Sequence, residues 1–173
     1  MPHTIEPASS ARAKCRGCDQ KIDKGTLRFG ERQPNIFGDG EMTLWFHLQC
    51  AAFKRPEALL EALPEHDLDN AAALEAAARF GIEHRRVPRI HGADRAPTGR
   101  AKCRSCREVI PKDSWRIGLV FFEEFRFAPS GFIHAGCAAE YFETTDILDR
   151  IGYFNTELDE AALKEIDAAM RGA

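Results

Sequence analysis

All six cysteines of the sequence fall into one pattern that occurs twice: Cys-x2-Cys, a long gap, then His-x2-Cys. The sets are Cys15, Cys18, His47 and Cys50, with 28 residues in the gap, and Cys103, Cys106, His134 and Cys137, with 27. A Cys-x2-Cys knuckle brings two thiolates to one ion with little backbone rearrangement. A second pair arriving from far along the chain closes a tetrahedron of three S and one N. Such a closed set leaves no position for water or substrate, so it is structural rather than catalytic. Thiolate and imidazole suit zinc, which brings no redox chemistry. Three disulfides would ignore the two equally placed histidines, and the first residues lack the apolar run of a secretory signal. An iron–sulfur cluster and a thioredoxin-type redox pair fit the spacing or its surroundings less well. The expectation is two structural zinc ions. His3, His66, His84 and His91 have no partners at ligand spacing and are expected to be solvated.

The elements around the ligands repeat as well. ARAKCRGCDQKIDKGTLRFG (11–30) aligns with GRAKCRSCREVIPKDSWRIG (99–118), with 10 of 20 positions identical. The spacings predict strands at 26–32, 42–47 and 114–122, and a turn at Gly38-Asp39-Gly40. Helices should follow Cys50 and Cys137, with Pro56 at a helix start or break and Pro64 at an end. ALEAAARF should form a helix that stops at Gly81. Thr156 and Asp159 resemble a capping box for LDEAALKEIDAAM, with Leu158, Ala162, Leu163 and Ile166 on one face. The stretch 121–131 is expected as a loop. The expected fold is α+β: two small zinc-stabilised modules, each a short antiparallel sheet with a Cys3His site, followed by helices. The boundaries expected are 1–84 for the first module, 85–98 for an exposed linker and 99–173 for the second.

The chain has 173 residues, 24 Lys plus Arg against 27 Asp plus Glu, and a formal net charge of −3. It therefore does not have the composition of a globally basic nucleic-acid coat protein, and no apolar run suggests a membrane span. The charge is segregated. Residues 10–60 carry nine basic against six acidic residues and 98–137 carry seven against four, while 138–173 carry three against nine. A polyanion feels such blocks rather than the average, over a Debye length of about 8–10 Å. Arg12, Lys14, Arg16 and Arg28 gather on the first knuckle and strand, and Arg100, Lys102, Arg104 and Arg116 repeat them. Guanidinium forks suit phosphate oxygens.

GRAKC, IPKDSWR and the F-x-H-x2-C spacing of the second repeat, with ARAKC, IDKGTLR and WFHLQC of the first, resemble the zinc fingers of poly(ADP-ribose) polymerases and of a DNA ligase. The second repeat departs from the family's pattern in having FIH where an aromatic pair usually precedes the histidine. The resemblance spans about 11–80 and 99–170. It implies sequence-independent recognition of DNA nicks, gaps or ends through backbone contacts and through apolar loop residues stacked on an exposed base pair. It also implies phosphate contacts by Arg12, Arg28, Arg100 and Arg116, and apolar loop positions at Phe37 and Met42. In the second repeat the aromatic run makes Phe125 and Phe127 the stacking candidates, although Glu123 and Glu124 would repel phosphate. Trp45, Phe132 and Trp115 are expected in the core. Nothing in the 173 residues resembles a transferase or ligase catalytic domain, so the expectation is a non-enzymatic binder of broken DNA. Its setting would be intracellular, in the nucleoid or cytoplasm of a bacterium or the nucleus of a eukaryote, and a repair enzyme is a further implied partner. The alternative is a zinc-scaffolded adaptor that docks proteins through its acidic helical tail.

Overall fold

The computed structural model describes residues 2–172. The chain divides into two compact units, Met1–Glu83 and His84–Ala173, each with its own three-stranded antiparallel sheet.

In the first unit, β1 (Thr4–Pro7), β2 (Leu27–Pro34) and β3 (Glu41–His47) lie in that order. Alternation along β2 and β3 turns Phe29, Glu31, Leu44 and Phe46 inward, with Phe29 paired opposite Phe46 and their rings 6.2 Å apart. Ile5 of β1 and Ile22 of the knuckle complete that layer. Three helices follow: α1 (Leu48–Lys54), α2 (Pro56–Ala62) and α3 (Ala71–Glu83). Pro56 opens α2, where a missing N–H costs nothing, and Pro64 sits in a 3₁₀ turn just past its end. Gly81 does not stop α3. It is buried on the same stripe as Leu74 and Ala78, and the helix runs on through it to Glu83.

The second unit repeats the sheet with β4 (Ile90–Arg95), β5 (Trp115–Glu123) and β6 (Arg126–His134), followed by α4 (Ala138–Phe142), α5 (Leu148–Phe154) and α6 (Glu160–Met170). Ile90, Ile110, Ile117, Ile133, Phe142, Ile147, Ile151 and Ile166 form its core. Three expectations fail here. The segment 85–98 is not an exposed linker throughout: residues 87–89 form a 3₁₀ turn and 90–95 form β4, with Ile90, Gly92, Ala93 and Ala96 buried. The stretch 121–131 is not an open loop. β5 and β6 run through it and reverse at Glu124 and Phe125, both with positive φ (49° and 65°), as a two-residue primed turn requires. The cap of α6 is Asp159 alone, whose carboxylate accepts from the Ala162 amide at 2.8 Å; Thr156 lies outside the helix.

No helix among the described residues is long and apolar enough to cross a membrane.

Candidate metal centres and nucleic-acid interface

Each knuckle is a tight turn closed by Asp19 N–H to Cys15 O (2.8 Å) and Arg107 N–H to Cys103 O (2.9 Å). The residue after the second cysteine takes left-handed φ in both copies, Asp19 at 61° and Arg107 at 71°. The knuckle faces the point where the last strand of the sheet passes into helix, which delivers the His-x2-Cys pair. Folding therefore brings Cys15, Cys18, His47 and Cys50 together, and separately Cys103, Cys106, His134 and Cys137; in each group the donor atoms all lie within 4.8 Å of one another. None of the six cysteines is joined in a disulfide.

The donor set fits a tetrahedral ion. Zn–S bonds of about 2.3 Å put sulfurs roughly 3.8 Å apart, within the spread seen here. The imidazoles are already aimed. His47 Nε2 lies 3.2 Å from Lys21 O and His134 Nε2 lies 3.0 Å from Val109 O, an arrangement that places the ring proton on Nε2. Nδ1 then points into the sulfurs, 3.4 Å from Cys18 Sγ and 3.8 Å from Cys50 Sγ, and 3.3 and 3.7 Å from Cys106 and Cys137. Backbone N–H groups donate to the innermost sulfur of each site: Gly17 and His47 to Cys15, Ser105 and His134 to Cys103, all at 3.3 Å. Without a cation the sulfurs compete for protons. Hydrogen bonding to Cys18 pushes the Cys15 thiol up, while the bond from Cys15 pulls Cys18 down to about 2. In the second site burial pushes Cys137 up to about 12; burial also acts to raise Cys103, but amide N–H donors together outweigh it and bring that thiol down to about 6.

Beside each centre, on the outer face of the sheet, an arginine lies flat on an aromatic ring. The guanidinium of Arg28 sits 3.5 Å from the Trp45 ring centre, and that of Arg116 sits 3.6 Å from Phe132. Glycine makes room for the rings: a Cβ on Gly30 would come within 2.7 Å of Trp45, and Gly118 stands opposite Phe132. Both arginines are buried, and both are taken by a carboxylate on the first strand of the sheet. Arg28 reaches Glu6 at 3.2 Å, and Arg116 grips Asp94 with two bonds of 2.8 and 3.1 Å. Neither is the open phosphate fork that the sequence suggested. Trp45 and Phe132 are half-buried platforms rather than core. Trp115 is also at the surface, covered by Arg95 and donating its indole N–H to Glu165 at 3.0 Å. His3 is not solvated: its Nδ1 accepts the Arg32 amide at 3.0 Å and its Nε2 lies 3.2 Å from Glu61.

The other six basic residues singled out on the knuckles are exposed. Arg12, Lys14 and Arg16 stand out from the first knuckle, and Arg100, Lys102 and Arg104 from the second. Phe37 lies at the tip between β2 and β3 with 85% of its surface open, beside Ile36 at 57%, while Met42 is half-buried. In the second unit Phe125 and Phe127 are half-buried, the latter against Phe122 at 4.9 Å. The open aromatic there is Phe121, 49% exposed, which the sequence reading passed over. Strand alternation would have placed it on the face of the buried Ile117 and Leu119; the register shift between Leu119 and Val120 breaks that pattern, and nothing in the sequence marks the shift.

Residues 6–84 match the family described as the poly(ADP-ribose) polymerase and DNA-ligase Zn-finger region. The chain is 31% identical over 142 residues to a poly [ADP-ribose] polymerase of Sarcophaga peregrina, covering 71% of this chain and 14% of that protein. It is 26% identical over 184 residues to the polynucleotide 3'-phosphatase ZDP of Arabidopsis thaliana, covering 90% and 26%. A poly [ADP-ribose] polymerase 1 of Oryza sativa subsp. japonica is 41% identical over 58 residues, 34% of this chain and 5% of that protein. The chain thus spans about a quarter or less of the length of these relatives. Residues 6–84 belong to the poly(ADP-ribose) polymerase and DNA-ligase zinc-finger family, and the second unit repeats the strand order, knuckle and ligand set of that finger.

Proposed function

We propose that the chain holds a zinc ion in each Cys3His site and binds interrupted duplex DNA through the two fingers, without reading sequence. The observation that carries this is the first unit's tip. A phenylalanine with 85% of its surface in water, flanked by an exposed isoleucine, projects from a sheet whose knuckle presents Arg12, Lys14 and Arg16. A nick or end exposes a base-pair face that an intact duplex hides, and an apolar ring stacked there is worth about 1–3 kcal/mol. Cations alongside hold the phosphates and supply affinity without base specificity. Arg100, Lys102 and Arg104 offer the same grip in the second unit. Arg28 and Arg116, already engaged by carboxylates, hold the first strand and the aromatic platform in place behind those cations. A nicked duplex also bends at lower cost than a continuous one, which adds selectivity.

Fluorescence anisotropy on nicked, gapped, blunt and hairpin-closed duplexes tests this. Nicked or gapped DNA should bind more tightly than closed duplex of equal length, and a zinc chelator should abolish binding. Phe37→Ala should lower affinity for the nick about tenfold while leaving stability within roughly 0.5 kcal/mol. Equal affinity for intact and nicked DNA would remove the proposal.

A further inference from the structure

The second unit contains a hollow of about 280 Å³ into which Arg86, Arg89, Arg104 and Arg107 converge, with Phe121 and Tyr141 completing its wall. Three of the four are held in place, by neutral acceptors. Arg86 Nη1 donates to Tyr141 O at 3.2 Å, Arg89 Nη1 to Tyr141 Oη at 3.2 Å, and Arg104 Nε to Ser130 O at 2.8 Å. The guanidiniums of Arg86 and Arg89 also stack on Tyr141 (4.7 Å) and Phe121 (5.1 Å). Among the described residues none of the four makes an ion pair, unlike Arg28, Arg55, Arg95 and Arg116, each of which meets a carboxylate. Arg86, Arg89 and Arg104 are oriented by these contacts, exposed Arg107 adds a fourth cation to the lining, and no carboxylate among the described residues lies within ion-pair distance of any of the four. The carboxylates of Glu140 and Glu143 line a neighbouring hollow with Arg85, Arg86 and Arg89, not this one.

The first unit lacks this arrangement at the matching positions. Asp19 stands where the second unit has Arg107, Gln33 where it has Phe121, and Glu31 where it has Leu119. There, Glu31 is fully buried and satisfied internally by Arg55 (2.9 Å) and Gln33 (3.1 Å). One copy of the repeat has closed the spot with an acid, while the other has opened it and lined it with cations.

We propose that this hollow binds the phosphomonoester at the end of a broken nucleic-acid strand, with the terminal base resting on the exposed part of Phe121. A monoester is close to a dianion at neutral pH and offers three terminal oxygens, where a diester within a strand offers one charge and two. Several converging guanidiniums therefore favour the end over the interior of a strand. The volume admits a phosphate and part of its sugar, which leaves the base at the rim, where the aromatic surface is. Arg104 belongs both to this hollow and to the exposed knuckle, so the hollow adjoins the surface assigned to DNA. The proposal rests on that assignment and adds the chemistry of the end.

The test uses the full zinc-loaded chain and gapped duplexes that differ only in carrying a phosphate or a hydroxyl at the 5′ or the 3′ margin of the gap. One phosphorylated margin should bind about tenfold more tightly than its hydroxyl counterpart. Arg107→Asp and Phe121→Gln each install the first unit's residue at a surface position; circular dichroism and metal content verify their fold. Arg107→Asp should abolish the phosphate-dependent difference, and Phe121→Gln should reduce it. Equal binding of phosphate and hydroxyl ends overturns the proposal even where gaps are still preferred to intact duplex, an outcome that leaves the broader reading standing. If gapped and intact duplex bind alike, the broader reading falls while the comparison of ends still decides this one. A difference that survives both substitutions places phosphate recognition elsewhere and also overturns it. Adenosine monophosphate and inorganic phosphate serve as competitors. Saturable binding of the nucleotide, lost in Arg107→Asp, with no preference among strand ends assigns the hollow to a free nucleotide and ends the strand-end proposal.

Discussion

At the scale of single residues, the metal ligands were legible and the arginines beside them were not. Cys-x2-Cys and His-x2-Cys are local spacings whose chemistry depends little on what surrounds them, so the sequence identifies all eight residues that the fold gathers. The fate of Arg28 and Arg116 depends on partners far along the chain. Glu6 and Asp94 each stand nine residues before the first cysteine of their repeat, a coincidence that could have revealed both pairs. The same locality makes the thiols predictive. Burial holds Cys137 protonated up to about pH 12, and its bond with Cys18 holds Cys15 above the ordinary thiol range, so each metal-free site retains a thiol proton at neutral pH. Zinc must displace it. Binding should therefore release about one proton or more per site at pH 7, and affinity should fall as the pH drops. At the second site the fall should steepen below about pH 6, where Cys103 also takes up a proton. Calorimetry in buffers of different ionisation enthalpy reads the release directly. A buffer-independent heat would contradict this account of the sulfurs.

At the scale of elements, the strands rich in aromatic and branched residues were legible: 26–32, 42–47 and 114–122 became β2, β3 and β5 within a residue or two. The first strand of each sheet was not. TIEP and IHGADR have little strand propensity, and they form strands because a neighbour supplies the ladder and an arginine supplies the ion pair. Helix α5 escaped notice for a related reason, since LDRIGYF contains a glycine and only two core side chains. Yet α5 carries the clamp that secures β4. Asn155, at its C-terminal end, accepts the Ala93 amide at 2.6 Å, and Gly92 lets the side chain lie against the strand, where a Cβ would strike the same Oδ1. Asn155→Ala leaves that amide without its partner and should cost about 1–3 kcal/mol. Gly92→Ala should cost at least as much by forcing the clamp away. Urea unfolding of the full chain measures both, and a loss below roughly 0.5 kcal/mol, the level of an ordinary surface change, would show that β4 does not depend on the clamp.

At the scale of the whole molecule, repetition was the most legible feature and divergence between the copies the least. The aligned knuckles show that there are two fingers. They do not show that one has buried a glutamate where the other opens a cationic hollow, because that difference arises from Asp19, Glu31 and Gln33 against Arg107, Leu119 and Phe121, scattered along three parts of each repeat. The net charge of −3 also hides how the molecule would meet a polyanion, because the acidic excess falls after residue 137 while Arg12, Lys14, Arg16, Arg100, Lys102 and Arg104 are all exposed on the knuckles. Salt dependence separates the contributions of the two fingers. Each phosphate neutralised on duplex DNA contributes about −0.9 to the slope of log affinity against log salt, so six contacts give about −5 and three give about −3. With both fingers engaged, the intact chain should show the steeper slope on nicked DNA. Replacing Arg100, Lys102 and Arg104 together by Ala should then reduce its magnitude by nearly 3, and replacing Arg12, Lys14 and Arg16 should do the same. A slope near −3 that responds to only one of these triple substitutions would mean that a single finger holds the DNA. A slope near zero would mean that the cationic knuckles do not meet phosphate, and the acidic helical region after Cys137 would become the surface to test for a protein partner.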